Sequence, residues 1–481
     1  MKGKPSSSKE EDPKPDSIDR LPDCLLVQIL SLLPFKEAIR SCILSKQWRY
    51  RWTSLCNVAF DFPGSRLPDR VDSIDTILTG LGDSIVKRFS VCIEYDKWHA
   101  SDVNRWVQFA VEKKHVEEFT LELKCGIYNS IVCYTRYQLP QYIYWSSSLT
   151  KLRLVWCNVR PWPRCTISWD LLKSLTIGRT RLGNNLLRMI LSGCPKLEYL
   201  ELFSCWGFKK LESPDSLRKL VIGEFFFYEH EDDLSDLGCM LDVSAPNIKS
   251  LDISGEWNRK FRVTKAPEGL VDATLTFEIN RYCEHYNQRP LLEILTSLRK
   301  VKNLTIGPWC IQVLTLVEAE GTTTLGDSTC TSLVLISEIK DFDLLGIQSL
   351  LRSSPDLETL VLNMAPSMYP EFGDPWQVEA ACKFSKEKYW NPENIPKCLT
   401  KHLKTIKIYG YSGEHNQFHY VRFLLQYAIV LERMVLSNVD PSGEYNSSHD
   451  YDECAMLQRS SDSSMHSIQK RWRSETFTFS T

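Results

Sequence analysis

The sequence predicts an α/β solenoid behind a small N-terminal helical unit, and three observations predict it. Apolar residues spaced as apolar-x-x-apolar-x-apolar return along most of the chain at intervals of about 20 to 32 residues, the period of stacked supersecondary repeats. Several of these units follow helix-like text that ends in a proline-containing turn. Residues 21–52 hold more aliphatic and tryptophan side chains than a unit of about 40 residues can bury in a core of its own.

The helical unit comes first. Pro22 fits the first turn of a helix, where a missing N–H costs nothing, and Asp23 favours the positive helix end. Leu25, Leu26, Ile29, Leu30 and Leu33 then give a wide apolar face, and Pro34 stops the helix. A second short helix is expected over Lys36 to Ser41. Ser45 reads as the N-cap of a third, which sets Trp48 and Trp52 four residues apart on one face. The run Leu21-Pro22, Leu25-Leu26, Ile29-Leu30, Leu33-Pro34, Ile43-Leu44-Ser45-Lys46, Trp48-Arg49 and Trp52, extended by Phe60-Asp61-Phe62, closely resembles an F-box. Two positions depart from that pattern: Cys24 stands where an acidic residue is common, and Phe35 where a polar cap is common. The resemblance implies docking on the SKP-family adaptor of cullin–RING ubiquitin ligases, and through it on a cullin. The residues it implicates are Leu21, Pro22, Leu25, Leu26, Ile29, Leu30, Leu33, Pro34, Ile43, Leu44, Trp48 and Trp52, some of which must instead support the three-helix core.

The repeats follow. Weaker members are Val86-Phe89-Val91 and Val116-Phe119-Leu121. The pattern then runs through Leu149-Leu152-Leu154, Leu172-Leu175-Ile177, Leu197-Leu200-Leu202, Leu217-Leu220-Ile222 and Ile248-Leu251-Ile253. It resumes with Val301-Leu304-Ile306, the incomplete Leu333-Leu335, Leu357-Leu360-Leu362, Leu403-Ile406-Ile408 and Leu431-Met434-Leu436. The last two positions of each unit alternate, as on a short strand with one buried face. Leu186 to Leu191 leads through Ser192-Gly193-Cys194-Pro195 into Leu197, and Ile347 to Leu351 leads through Ser353-Ser354-Pro355 into Leu357. Helix, turn and strand make the step of a solenoid in which no repeat buries its face alone. Cys157 and Cys205 follow their units three positions on, and the whole resembles leucine-rich repeats. Wide gaps after Ile253 and Leu362 imply insertions or a repeat too degenerate to see.

A third segment carries Tyr389-Trp390-Asn391, Ile395-Pro396-Lys397-Cys398-Leu399 and Leu403-Lys404-Thr405-Ile406. It resembles the FBD module of plant F-box/leucine-rich-repeat proteins and reads as strand, helix (about Asn416 to Tyr427) and strand. The expected organisation is a disordered extension at 1–15, an F-box at 16–62, repeats at 80–375, an FBD-like cap at 385–440 and a disordered tail at 441–481.

Composition and motifs narrow the chemistry. A net charge of −2 over 481 residues gives no argument for nucleic acid or an anionic membrane. No apolar run reaches the length of about 18 residues that a membrane helix needs. Of the 17 cysteines, several lie in apolar strings such as Val91-Cys92-Ile93 and Val132-Cys133-Tyr134. With no secretory signal at Met1-Lys2-Gly3-Lys4-Pro5, they read as small buried hydrophobes in a reducing compartment, nuclear or cytoplasmic. The histidines and cysteines show no metal-ligand spacing, and neither a phosphate loop nor a nucleophile elbow is present. No cofactor is expected and the chain is read as no enzyme. The reading is a substrate receptor that binds the adaptor through the F-box and an unknown target protein through the repeats. The alternatives are a repeat scaffold outside any ligase, or a ligand receptor in which Arg179, Arg181, Lys209 and Lys210 would form a basic pocket.

Overall fold

The computed structural model describes residues 21–46, 48–62, 68–125, 136–163, 165–224, 239–256, 260–265, 267–278, 289–321, 325–340, 343–364, 395–438 and 477–479. The chain divides into two compact units, residues 1–157 and 158–481. The first opens with α1 (Asp23–Ser31), whose N-cap is Pro22, and α2 (Phe35–Arg40), capped by Pro34. A 3₁₀ turn at Ser41–Ile43 and a 3₁₀ helix at Trp48–Ser54 complete the helical part. Strands β1 (Asn57–Phe62), β2 (Arg88–Tyr95), β3 (Glu118–Cys125), the two-residue β4 (Tyr137–Gln138) and β5 (Lys151–Val155) follow, with α3 (Pro68–Gly80) and α4 (Ala100–Gln108) between. β1, β2, β3 and β5 pair in that order, all parallel. Their apolar positions stack rung on rung: Val58 beside Phe89, Phe89 beside Phe119, Phe119 beside Leu152.

After the short β6 (Cys157–Asn158), the second unit repeats the scheme. Its strands are β7 (Ser174–Gly178), β8 (Tyr199–Phe203), β9 (Lys210–Glu212), β10 (Lys219–Glu224), β11 (Met240–Ser244), β12 (Ser250–Glu256), β13 (Lys260–Lys265) and β14 (Asp272–Glu278). They continue as β15 (Asn303–Ile306), β16 (Ser332–Ile336), β17 (Thr359–Asn363), β18 (Thr405–Tyr409), β19 (Arg433–Leu436) and β20 (Phe477–Phe479). From β7 onward the main ladder runs β7-β8-β10-β12-β14-β15-β16-β17-β18-β19-β20. Its register places the two strand leucines of each repeat against those of the next: Leu175, Leu200, Leu220, Leu251, and later Leu333, Leu360, Ile406. These side chains are buried, whereas the alternating Thr, Ser and charged residues stay on the open face.

The buried face is covered in two ways. Helices α5 (Asn184–Ser192), α6 (Arg289–Ser297), α7 (Pro308–Glu320), α8 (Asp343–Ser353), α9 (Lys397–Lys401) and α10 (His415–Tyr427) carry most repeats back to the next strand. Between α5 and α6 a small parallel sheet, β9-β11-β13, takes the place of helices, with Leu211 beside Val243 and Val243 beside Val263. The turn leaving several strands is sharp. Two residues after the second buried strand aliphatic (Leu154, Ile177, Leu202, Ile253 and Ile408), Trp156, Arg179, Ser204, Gly255 and Gly410 all adopt positive φ. Cys205 then sits buried, its thiol donating to the Ile177 carbonyl of the preceding rung at 3.4 Å.

Several expectations change. The second helix ends at Arg40, and the third begins at Trp48 as a 3₁₀ helix. At three residues per turn, Trp48 and Trp52 lie about 120° apart, not on one face. In the first unit the parallel rungs begin with β1, ahead of residue 80 and paired to β2, and in the second β18 and β19, past residue 375, pair in line with β17. Leu270-Ala273-Leu275 is the repeat hidden in the first wide gap; Ala273, placed beside Leu251, is too small to signal it. In the tail, Phe477–Phe479 forms a strand on β19. The 1–15 extension, Phe225 to Asp236 with His230, Trp390-Asn391 and the tail up to residue 476 lie outside the described residues. No described helix is long and apolar enough to cross a membrane.

Candidate protein-docking surfaces

The residues expected to dock an adaptor sort into two sets. Leu26 and Leu30 on α1 are fully buried, Trp48 is 2% exposed and Trp52 9%. Trp52 meets the Phe35 ring edge-on at 6.4 Å, and a β-carbon on Gly80 would lie 3.1 Å from its ring. Its indole N–H donates to the Arg49 carbonyl at 3.2 Å, and the neighbouring Arg51 pairs with Asp23 at 2.6 Å, which joins the 3₁₀ helix to the start of α1. These four side chains hold the small unit together and are not available to a partner.

The second set faces outward. Pro22, Leu25 and Ile29 on α1, Leu33 and Pro34 at the turn after it, and Ile43 and Leu44 after α2 are all exposed, and Leu21 is half-buried. Ile43 is 84% exposed. Two residues that the sequence reading passed over belong with them: Leu32, at 81%, and Tyr50. The signal that would have found Leu32 is the α1 pattern itself. Leu26 and Leu30 define its buried stripe, which leaves Leu25, Ile29 and Leu32 on the other side. So many exposed aliphatics on so short a unit are unusual for a surface meant for water.

Phe35, one of the two departures from the F-box pattern, has a position that explains it. Its ring is buried between Trp52 and Phe60, 5.8 Å from the latter, and Phe60 meets Phe89, again at 5.8 Å. Phe89 then stacks on Phe119 at 6.2 Å. A polar cap at residue 35 would break this aromatic row, which ties the helical part to the first rungs of the ladder. Phe60, read from sequence as an extension of the F-box, is a buried position of β1, the first strand of that ladder.

The second candidate surface is the open face of the ladder. In the first unit it is covered by ion pairs, Arg88 with Glu118 at 3.0 Å and Arg153 with Glu122 at 3.4 Å. In the second unit it begins with Glu201, whose carboxylate accepts from the Thr176 and Tyr199 hydroxyls at 3.0 and 3.2 Å. Phe203 lies flat over Gly178, where a methyl group would come within 2.1 Å of the ring. Arg181, Lys209 and Lys210 are exposed and Arg179 half-buried; Lys210 pairs with Glu212 at 2.5 Å. Among the described residues no group of three His, Cys, Asp or Glu side chains could hold a metal ion. Burial pushes the thiols of Cys194, Cys310 and Cys398 up to about 12, so they remain protonated and serve as small apolar groups.

Comparison with known proteins agrees with this division. Residues 18–59 match the F-box domain family, and residues 80–469 match the family described as At1g61320/AtMIF1, LRR domain. The F-box/LRR-repeat protein At5g54820 of Arabidopsis thaliana is 27% identical over 474 residues, covering 93% of this chain and 96% of the relative. The Arabidopsis F-box/LRR-repeat protein At5g02910 is 30% identical over 363 residues, 72% of either chain. The leucine-rich-repeat match runs through the segment that resembles an FBD module, in keeping with β18 and β19 continuing the ladder. An exposed aliphatic helical unit followed by a long ladder of leucine repeats, matched by both families over most of its length, makes this chain a plant F-box/leucine-rich-repeat protein.

Proposed function

We propose that the chain is the substrate-recognition subunit of an SCF-type ubiquitin ligase. Its F-box docks on an SKP-family adaptor, and through it on a cullin, while the repeats hold a target protein. The chain does no chemistry of its own. It raises the effective concentration of target lysines near the ubiquitin donor that a separate ligase subunit supplies. The free thiols, with Cys157, Cys194, Cys205, Cys310, Cys330 and Cys398 buried, suit a reducing compartment, nuclear or cytoplasmic.

The observation that carries this reading is the set of exposed aliphatics Leu25, Ile29, Leu32, Leu33, Ile43 and Leu44. A docking interface concentrates its energy in such anchors, so a charge placed among them removes binding without touching the core. The test is capture of purified SKP-family adaptor by the full chain, beside a Leu32→Asp, Ile43→Asp variant. Capture by the native chain and its loss in a variant with unchanged thermal unfolding are expected. A folded native chain that captures no adaptor overturns the proposal.

A further inference from the structure

The open face of the second unit carries a polarity of charge along its rungs. Outward positions hold Glu201 on β8, Lys219 on β10, Asp252 on β12 and Asp272 on β14, three carboxylates against one ammonium. The outward positions of β15, β16 and β17 carry no charge. Beyond them come Lys407 on β18 and Arg433 on β19. Asp252, Lys407 and Arg433 form no ion pair among the described residues, in contrast to the paired charges on the first unit's face. Burial also raises the Asp252 carboxyl pKa, with the nearby Lys219 ammonium opposing the shift. A cation reaching Asp252 would therefore relieve a charge that the fold leaves partly desolvated.

The uncharged rungs are polar. Thr274, Thr305, Ser332, Thr359 and Thr405 stand half-buried on adjacent strands and make no side-chain hydrogen bond among the described residues. Hydroxyls both donate and accept, and what they suit is a backbone whose own N–H and C=O groups are unpaired. A helix has none to offer along its length; an extended segment has two per residue.

We propose that this face takes an extended segment of the target protein with a basic residue over Glu201 to Asp272 and an acidic residue over Lys407 and Arg433. Five strand steps separate Asp252 from Lys407, about 24 Å at ~4.8 Å per step, which an extended chain spans in about seven residues. This rests on the substrate-receptor reading and names the chemistry of the segment received.

The test is selection from a random dodecapeptide display library on the immobilised full chain, in low and high salt. Enriched peptides are expected to carry Lys or Arg and Asp or Glu about six to eight residues apart, and to lose about tenfold or more in affinity at high salt. A Glu201→Lys, Asp252→Lys variant should exchange the basic preference for an acidic one, and Lys407→Glu, Arg433→Glu should do the reverse at the other end. No enrichment, or enrichment indifferent to the four reversals, overturns the proposal. Adaptor capture by the same variants separates the two readings. Capture retained with indifferent peptide selection removes this inference alone. Capture absent with the expected exchange removes the ligase reading and leaves the peptide surface standing.

Discussion

At the scale of single residues, the departures from pattern are the informative ones. Phe35 replaces a polar cap and is buried against Trp52 and Phe60. Phe35→Ala should cost about 3–4 kcal/mol, since it leaves a cavity at the head of the aromatic row. Thermal unfolding measures that loss, and adaptor capture by the folded fraction should persist because the exposed aliphatics are untouched. Asp343 is a different kind of exception. It is buried at the start of α8, where its carboxylate accepts from the Ser337 hydroxyl at 2.8 Å and the Lys340 N–H at 3.0 Å, while the other oxygen has no partner. Burial pushes it up to about 6, against the pull of those two hydrogen bonds. The native state therefore holds this proton to higher pH than the unfolded chain does. Its contribution to stability falls as pH rises between about 4 and 6 and is level above that. Asp343→Asn keeps both acceptor contacts and removes the buried charge. It should gain about 1–2 kcal/mol at pH 7 and flatten the decline between pH 4 and 6, read by chemical denaturation across that range.

At the scale of elements, what could be read in the sequence depended on side-chain size. Rungs built on leucine pairs, such as Leu200 with Leu202 and Leu360 with Leu362, fell where the spacing put them. The rung at β14 did not, because Ala273 stands where a larger residue would mark it, and β1 was hidden by its likeness to the end of an F-box. Among the docking residues the anchors were legible as a group, and the α1 period separates a Leu26-Leu30 stripe from a Leu25-Ile29-Leu32 one; which of the two stripes faces the core is set by the helix's packing. Helix α7 carried signals at both ends, Pro308 in its first turn and Gly321 as a left-handed cap. Its contact with α8 is closer than any apolar pattern reveals. The Gly346 N–H donates to the Thr315 hydroxyl at 3.0 Å, and a β-carbon on Gly346 would lie 2.2 Å from the Ile311 carbonyl oxygen. That oxygen belongs to helix backbone and cannot swing aside. Gly346→Ala should therefore destabilise the chain by about 2–3 kcal/mol despite the better helix propensity of alanine, and a shifted urea midpoint at constant slope would record it.

At the scale of the whole molecule, the problem a ladder must solve is its last edge. A terminal strand presents a row of unpaired N–H and C=O groups, which in an open parallel ladder invites pairing with another chain. Here β19 is covered by β20, with Met434 beside Phe477 and Leu436 beside Phe479, so the ladder gains one further parallel rung. In the sequence this segment is hidden in a polar tail, because three residues are too few to show a period amid serine-rich text. A strand of this length adds little stability of its own. Its main effect is to occupy the edge. A chain truncated after Asn438 should therefore keep its thermal midpoint to within a few degrees, yet self-associate at micromolar concentration, as light scattering after size exclusion would report. Replacing Thr478 with proline in the full chain removes a backbone donor from the same rung and should reproduce the association with every other residue in place. A truncated chain that stays monomeric would mean that β19 guards its own edge and that the final rung is dispensable.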